Sequence, residues 1–390
     1  MSQSIAILGR QPALGMAELE SLYGADSLHP LPGGLALVKR DPSEINFNRL
    51  GGTIKLAKLL TDFPTTDWRR LIAQVAKLLP DHLQYLPADG KIRLGLNVYG
   101  LHVSVNDVNR GGLILKKAIK NAGRSVRVVP NTELELNSAQ TQHNQLTGPT
   151  GWEFVFIKDG SRTLLAQVVN SQDIDAYAAR DQARPKRDSR VGMLPPKLAQ
   201  IIVNLAHPEA GQTVLDPFCG TGVVLQEALL MGYPAYGTDL EKRMIDYSQI
   251  NLDWLSEQQG LSGSFRLAAG DATSFVWQPP FEVIAGETYL GRPFSAIPDP
   301  RVLEEVTRDV DTIHRKFLRN VAKQTKPGFR MCLAVPAWHT NNGVKHLKML
   351  ASLEELGYTR MSFVHAVNND LVYHRENQIV GRELVVLTRK

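Results

Sequence analysis

The sequence predicts an α/β protein: an open, largely parallel C-terminal sheet of the nucleotide-binding type, preceded by smaller α+β layers. Three observations carry that class. Residues 213–216 form a short apolar run ending in an acid, the loop Gly220-Thr221-Gly222 follows, and residues 223–231 read as a helix. Strand, glycine turn and helix N-terminus in that order make the ligand-binding corner of an open sheet. After this corner, strands and helices alternate; before it, short strands and helices share smaller cores. At 390 residues the chain has room for two or three such cores.

In the first half, strands are expected at 4–8, 35–39 and 53–60, with helices at 15–24 and 42–50. A second unit follows. Leu71, Ile72, Val75, Leu78 and Leu79 make one helical face over 68–79, and 91–98 alternates as a half-buried strand. Residues 106–121 read as a helix closed by Gly123, and 126–129 as a strand. Residues 153–157 and 163–169 read as a hairpin turning at Gly160. From 171 to 194 the apolar pattern lapses and charge takes over, which marks a linker. A helix over 197–206 then enters behind Pro195 and Pro196. Beyond the glycine loop, strands are expected at 235–239, 265–271, 281–287 and 330–335. A long helix is expected at 302–324, and a terminal strand pair at 361–365 and 383–388.

Composition excludes several classes. With 43% hydrophobic and 21% charged residues, the chain is neither fibrous nor disordered. No apolar run reaches the roughly eighteen residues of a membrane helix, and no basic-then-apolar leader opens the chain. A cytoplasmic protein without a membrane partner is expected. Cys219 and Cys332 are the only cysteines, too few for a disulfide scaffold or a cysteine zinc site. Net charge is +5. Its clustering says more, since Arg180, Arg184, Lys186, Arg187 and Arg190 lie close together, broken by Asp181 and Asp188. Composition leaves two readings open there, a solvated linker and a strap that contacts RNA phosphates.

Asp216, Asp239, Asp271 and Glu287 each stand where an expected strand ends. Any one of them could be an ordinary turn residue. Four in successive strands beside a Gly-x-Gly loop outline a ligand lying across the carboxyl ends. Leu225 occupies the third-glycine position of the dinucleotide fingerprint, which disfavours a pyrophosphate. The acid at the head of the loop suits a cationic, amine-bearing ligand such as S-adenosylmethionine. Gly220 and Gly222 would let the backbone approach its methionine part. Asp239 would accept its ribose hydroxyls, Asp271 would accept from its adenine amine, and Ala272 would offer a backbone N–H. Phe218 and Leu240, at the loop and beside Asp239, complete this cofactor set, and Glu287 lies where a methyl acceptor would sit. Cys219 reads either as a nucleophile or as a small loop residue, the latter favoured because no partner base is evident. His207 reads as a turn residue, and no metal-ligand spacing stands out.

Further stretches carry a family resemblance. They are Arg180-Asp181 with Arg184-Pro185, Gly192-Met193-Leu194-Pro195-Pro196-Lys197-Leu198-Ala199, Asn204-Leu205-Ala206, Asp216-Pro217-Phe218-Cys219-Gly220-Thr221-Gly222 and Asn251-Leu252. Together they resemble the THUMP-domain tRNA guanine-N2-methyltransferases. The resemblance implies a Rossmann-like S-adenosylmethionine methyltransferase domain over 195–390, behind a basic linker over 171–194. It also implies a ferredoxin-like domain over 1–63 and a tRNA-gripping THUMP domain over 64–170. The expected product is N2-methylguanosine at tRNA position 10. Met193 would help cover the cofactor, and Arg180, Arg184, Lys186 and Arg187 would contact RNA. A small activating protein subunit is an optional further partner, and the assembly would be a monomer or homodimer.

One stretch departs from the family. Its amine-methylating motif reads Asp-Pro-Pro-Tyr, or Asn in place of Asp; here Glu287-Thr288-Tyr289-Leu290-Gly291 stands in its place. The exocyclic amine is a poor nucleophile because its lone pair is delocalised, so the motif supplies acceptors for its N–H groups and an aromatic to stack on the base. Glu287 and Tyr289 can take those catalytic roles, but the two stiffening prolines are absent. A working variant is the favoured reading. The rivals are a tRNA-binding protein that has lost turnover and an N-methyltransferase of another amine.

Overall fold

In chain order the first part of the fold runs β1 (Ser4–Leu8), α1 (Pro12–Tyr23), β2 (Leu28–Leu31), β3 (Leu35–Val38), β4 (Thr53–Phe63), α2 (Trp68–His82), β5 (Ile92–Tyr99), α3 (Val105–Asn121), β6 (Val126–Val128), α4 (Ser138–His143), β7 (Gly151–Asp159) and β8 (Arg162–Ser171). The structure is a computed structural model, and it describes residues 2–188, 194–261, 263–294, 296–376 and 378–390. The chain forms two units. One comprises Met1–Pro12, Asp26–Asn48 and Thr53–Asp175; the other comprises Ala13–Ala25, Arg49–Gly52 and Ala176–Lys390.

The first unit is built on one sheet of order β2-β3-β1-β4-β8-β7-β5-β6. Asp67 and Ser104 cap α2 and α3 by accepting the amides of Arg70 and Asp107. The apolar faces of these helices meet Leu94, Trp152, Phe154 and Phe156 in one core. Pairing of β4 with β8 carries the sheet across the boundary expected at 63/64, so the two expected N-terminal domains share a single sheet. The expected helix over 42–50 is instead two single 3-10 turns, Pro42–Glu44 and Phe47–Arg49. Asp41 holds the first of them by accepting the Ser43 amide.

The second unit contains α5 (Ile174–Gln182), α6 (Pro196–Ala206), β9 (Val214–Asp216), α7 (Val223–Leu230), β10 (Ala235–Asp239), α8 (Lys242–Gln259), β11 (Phe265–Ala269), β12 (Val283–Glu287), α9 (Pro300–Gln324), β13 (Arg330–Thr340), β14 (Gly343–Lys345), β15 (Tyr358–Arg360), β16 (Val372–Tyr373) and β17 (Val380–Arg389). Its main sheet has the order β11-β10-β9-β12-β13-β17-β15. Strands β9 to β13 are parallel and β17 is antiparallel to β13. The order reverses between β9 and β12, which opens a crevice at their carboxyl ends. Part of the expected linker is helix α5. The strand expected over 361–365 falls three residues earlier, at β15 against β17, with the Met361 amide still bonding the Val386 carbonyl; beyond it the amides of Val364 and His365 donate to the Glu20 carboxylate at 2.7 and 2.9 Å.

Helix α1 and the turn 49–52 are counted with the second unit for a physical reason. Glu18 is fully buried and accepts from the amides of Gly51 and Gly52 and from Asn204 Nδ2 of α6. Arg49 donates to Asn204 Oδ1 through two nitrogens. Burial pushes the Glu18 carboxyl up to about 7 against these donors. Asn204, part of the motif set read from the sequence, is therefore an anchor for a helix almost two hundred residues upstream.

The first unit also buries a charge pair. Lys55 on β4 donates to Glu153 on β7 and to the Leu136 carbonyl, and Asn97 Nδ2 adds a bond to the same carboxylate oxygen at 2.9 Å. Both charged side chains are at most 1% exposed. Removing one partner of such a pair strands the other charge in an apolar core. Lys55→Ala should therefore lower unfolding stability by about 3–5 kcal/mol, measured by urea denaturation; a loss under about 1 kcal/mol would contradict this account.

Candidate active site at the carboxyl ends of the sheet

Asp216 ends β9 and is 2% exposed. Its Oδ1 accepts the Phe218 amide at 3.1 Å, which sets the first bend of the glycine loop. A Cβ on Gly286 of β12 would lie 2.4 Å from that same oxygen, so the acid fits only beside a glycine. Burial pushes the Asp216 carboxyl well above the usual range, and the neighbouring Asp239 and Glu287 push in the same direction. Asp239, at the end of β10, accepts the Gly220 amide at 3.0 Å and the Glu241 amide at 2.9 Å. From α8, Ser248 Oγ donates to the Gly220 carbonyl at 2.8 Å. Gly222 starts α7 at φ +85°, where a Cβ would also stand 3.0 Å from Ser248 Oγ. The loop is thus folded onto its acids, and Asp216, Asp239 and Glu287 stand at the ends of neighbouring strands. A cation arriving there would favour their charged forms, and a phosphate would not.

Asp271 lies two residues beyond β11, exposed, with Oδ1 accepting the Thr273 amide. Ala272 is buried, and α9 holds its loop: Asn320 Nδ2 donates to the carbonyls of Ala272 and Phe275 at 3.0 and 2.9 Å. Phe218 is half-buried and packs edge-on against Phe317, whereas Leu240 is 72% exposed beside Asp239. Met193 lies outside the described residues. Cys219 is buried, and burial raises its thiol well above the usual value, so it stays protonated. A nucleophilic role does not fit such a thiol. Among the described residues no His/Cys/Asp/Glu group could hold a metal ion, and no helix is long and apolar enough to cross a membrane.

The irregular motif is held by side chains. Glu287, the last residue of β12, accepts from Arg382 Nε of β17 at 2.8 Å. Burial raises its carboxyl pKa and Arg382 opposes the rise. Next to it, Thr288 bonds the Ala334 carbonyl through its amide at 3.0 Å, and its hydroxyl lies 2.6 Å from His314 Nε2. His314 on α9 is 1% exposed, and its Nδ1 donates to the Val310 carbonyl at 2.8 Å. That assignment leaves Nε2 as the acceptor of the Thr288 hydroxyl. Thr288 occupies the place of the first family proline, and these bonds fix the loop where a ring would otherwise restrict it. Tyr289 follows, 47% exposed.

Two of the expected RNA contacts are corrected. Arg180 Nε is bonded at 2.9 Å to Glu227, a fully buried acid on α7, and its guanidinium stacks over Tyr177. Arg184 is 4% exposed, with Nη1 3.4 Å from Thr221 Oγ1 of the glycine loop and Nη2 3.6 Å from Asp181. Arg180 is engaged and Arg184 is enclosed inside the second unit, the latter with Nε and Nη2 hydrogen-bonded to none of the described residues, and neither is exposed to meet phosphates. Asn251 of α8 binds the amide and carbonyl of Lys186 and also the Thr221 carbonyl, tying this segment to the loop. Lys186 is half-buried near Tyr247 and Arg187 is exposed. Ser248, His314, Asn320 and Arg382 escaped sequence reasoning because each reaches the site from a distant element and has no local motif.

Residues 184–355 match the family UPF0020, the RMKL-like methyltransferase domain. A tRNA (guanine(10)-N2)-dimethyltransferase from Methanothermobacter thermautotrophicus is 30% identical over 158 residues, which are 40% of this chain and 43% of that protein. A protein of the same name from Pyrococcus abyssi is 32% identical over 152 residues, 38% of this chain and 40% of that one. The chain thus spans less than half the length of these curated relatives. A crystal structure of TrmN from Thermus thermophilus aligns over 100% of both chains with a TM-score of 0.55 and 18% identity. A possible methylase from Clostridium difficile 630 aligns over 99% of this chain and 98% of its own, with a TM-score of 0.51 and 13% identity. The mixed α/β architecture and the C-terminal Rossmann-like methyltransferase domain expected from the motifs are borne out.

The buried imidazole gives the domain a pH signature. Burial lowers the His314 pKa from 6.5 to about 4, so the unfolded chain binds a proton there that the folded chain refuses. This contribution to stability is present above pH 6.5 and is lost as pH falls from 6.5 toward about 4. Thermal unfolding of His314→Gln against the parent chain should show a shallower decline across that window; an unchanged slope would remove His314 as its source.

Proposed function

We propose that this chain transfers a methyl group from S-adenosylmethionine to the N2 amine of a guanosine in tRNA, at position 10. The observation that carries the reading is Glu287, a carboxylate at the carboxyl end of β12 beside the strand of Asp216, on a loop held by Thr288 and His314. The methyltransferase-domain match spans both the glycine loop and Glu287, and the names of the curated relatives support the acceptor.

The residues suit the cofactor. Gly220 and Gly222 leave backbone room for its methionine part, Asp239 would take the ribose hydroxyls, and Asp271 with the Ala272 N–H would take the adenine edge. Its sulfonium supplies an electrophilic methyl, and the acids around the loop favour that positive charge. Glu287 Oε2 would accept an N–H of the base amine and take the proton released as the N–C bond forms. Tyr289, half-exposed next to it, would stack on the base. The THUMP-type region over 64–170 would grip the tRNA, with Lys186 and Arg187 as the remaining basic contacts of the linker. Cytoplasmic residence, a monomer or homodimer, and an optional small activating subunit belong to the same reading. A binder without turnover is disfavoured because the acceptor loop keeps a carboxylate and is held in place by other means.

Unmodified tRNA incubated with the full chain and methyl-labelled cofactor should yield label in N2-methylguanosine or its dimethyl form after digestion to nucleosides. Label in another nucleoside, or none, would refute the acceptor. Glu287→Ala should lower transfer by about a hundredfold or more, with cofactor affinity by calorimetry nearly unchanged. Retained activity would exclude Glu287 as the acceptor of the amine proton.

A further inference from the structure

We infer that Arg382 and Glu287 act as a pair that reads the Watson–Crick edge of the acceptor base, making Arg382 a specificity residue for guanine. The inference rests on the guanosine reading above and goes beyond it, because that reading needs only a carboxylate and an aromatic.

Arg382 stands on β17, opposite Pro336 of β13, and is 5% exposed. Its Nε donates to Glu287 Oε1 at 2.8 Å, and its Nη1 donates to Gln378 Oε1 at 3.4 Å. Among the described residues Nη2 donates to none. Glu287 Oε2 is in the same position, unbonded among the described residues on a side chain 14% exposed. Nε and Nη2 share one edge of the planar guanidinium, so the free donor points along the side on which Glu287 lies. A nearly buried arginine has thus spent two nitrogens on protein acceptors and left the third beside an unused carboxylate oxygen.

That pattern is donor beside acceptor. Guanine presents O6 as an acceptor, then N1–H and the N2 amine as donors. Adenine presents an N6 donor and an N1 acceptor, the reverse order. Nη2 donating to O6 while Oε2 accepts from N1–H and N2–H satisfies guanine and leaves adenine with two mismatched contacts. A site built to hydrogen-bond a group rejects an analogue that lacks it, since its own buried polar atoms are then unpaired. Arg382 also offsets the burial of Glu287, keeping its carboxylate available as an acceptor.

The test uses the full chain and tRNA transcripts with 2-aminopurine at the guanosine that becomes labelled. This analogue keeps the N2 amine but lacks O6 and N1–H. The parent protein should prefer guanosine by about a hundredfold or more in kcat/KM. In Arg382→Met the preference should collapse to about tenfold or less, while affinity for S-adenosylhomocysteine, read by calorimetry, reports that the domain is folded. Arg382→Lys keeps the charge beside Glu287 but not the two-donor edge, so its preference should fall as well, and it serves if the Met variant does not fold. A parent protein indifferent to the analogue, or an undiminished preference in a folded variant, would overturn the inference. Equal loss on both bases would make Arg382 a counter-ion alone and would also overturn it. Failure of the parent to label any guanosine would instead overturn the acceptor assigned above.

Discussion

A carboxylate buried between two glycine-bearing segments is the constraint on which the second unit depends. Asp216 is nearly inaccessible, yet among the described residues only the Phe218 amide is bonded to its side chain, and Gly286 gives it room from the adjacent strand. An acid so placed is costly unless a cation or further donor arrives. Asp239, which folds Gly220 back by its amide, and Glu287, across the reversal of strand order, add to that cost by like-charge repulsion. The three acids set the loop's shape and the sign of its field together. A site of this kind is prepared for a positively charged ligand before one binds.

The elements behind the crevice serve it indirectly. Helix α8 contributes Ser248 to the Gly220 carbonyl and Asn251 to the Thr221 carbonyl, so one helix face holds the loop at two successive residues. The same Asn251 captures the main chain at Lys186, and Arg184 sits against Thr221. The basic stretch before α6 is therefore coupled to the glycine loop through neutral amides as much as through charge. Helix α9 does the equivalent on the other side, with Asn320 holding the Ala272 loop and His314 holding Thr288.

The loop after β12 illustrates how one geometric task admits two chemical solutions. Proline restricts φ through its ring and needs no partner. Threonine at the same place restricts the chain only if its hydroxyl finds a fixed acceptor, and here a neutral histidine, itself tied to a helix carbonyl, supplies it. The solution is conditional on packing, since His314 stays neutral only because it is buried.

What the residues determined by themselves was local and periodic. Apolar alternation located most strands, glycines and caps located most helix ends, and Asp216 to Gly222 announced a ligand loop, because each signal lies within a few neighbouring positions. Arg180 and Arg184 were legible as basic but not as enclosed, since their enclosure depends on Glu227 of α7 and Thr221 of the glycine loop. The strand expected at 361–365 stops at Arg360 in β15, and the amides of Val364 and His365 turn instead to Glu20 of α1, a partner no local pattern names. Only the tertiary structure decided that Arg382, Gln378 and Glu287 meet, or that Thr288 has a partner in His314. Such pairs join strands and helices distant in the chain, and no spacing rule connects them; the fold does so by setting β12, β13 and the antiparallel β17 side by side and packing α9 against the sheet.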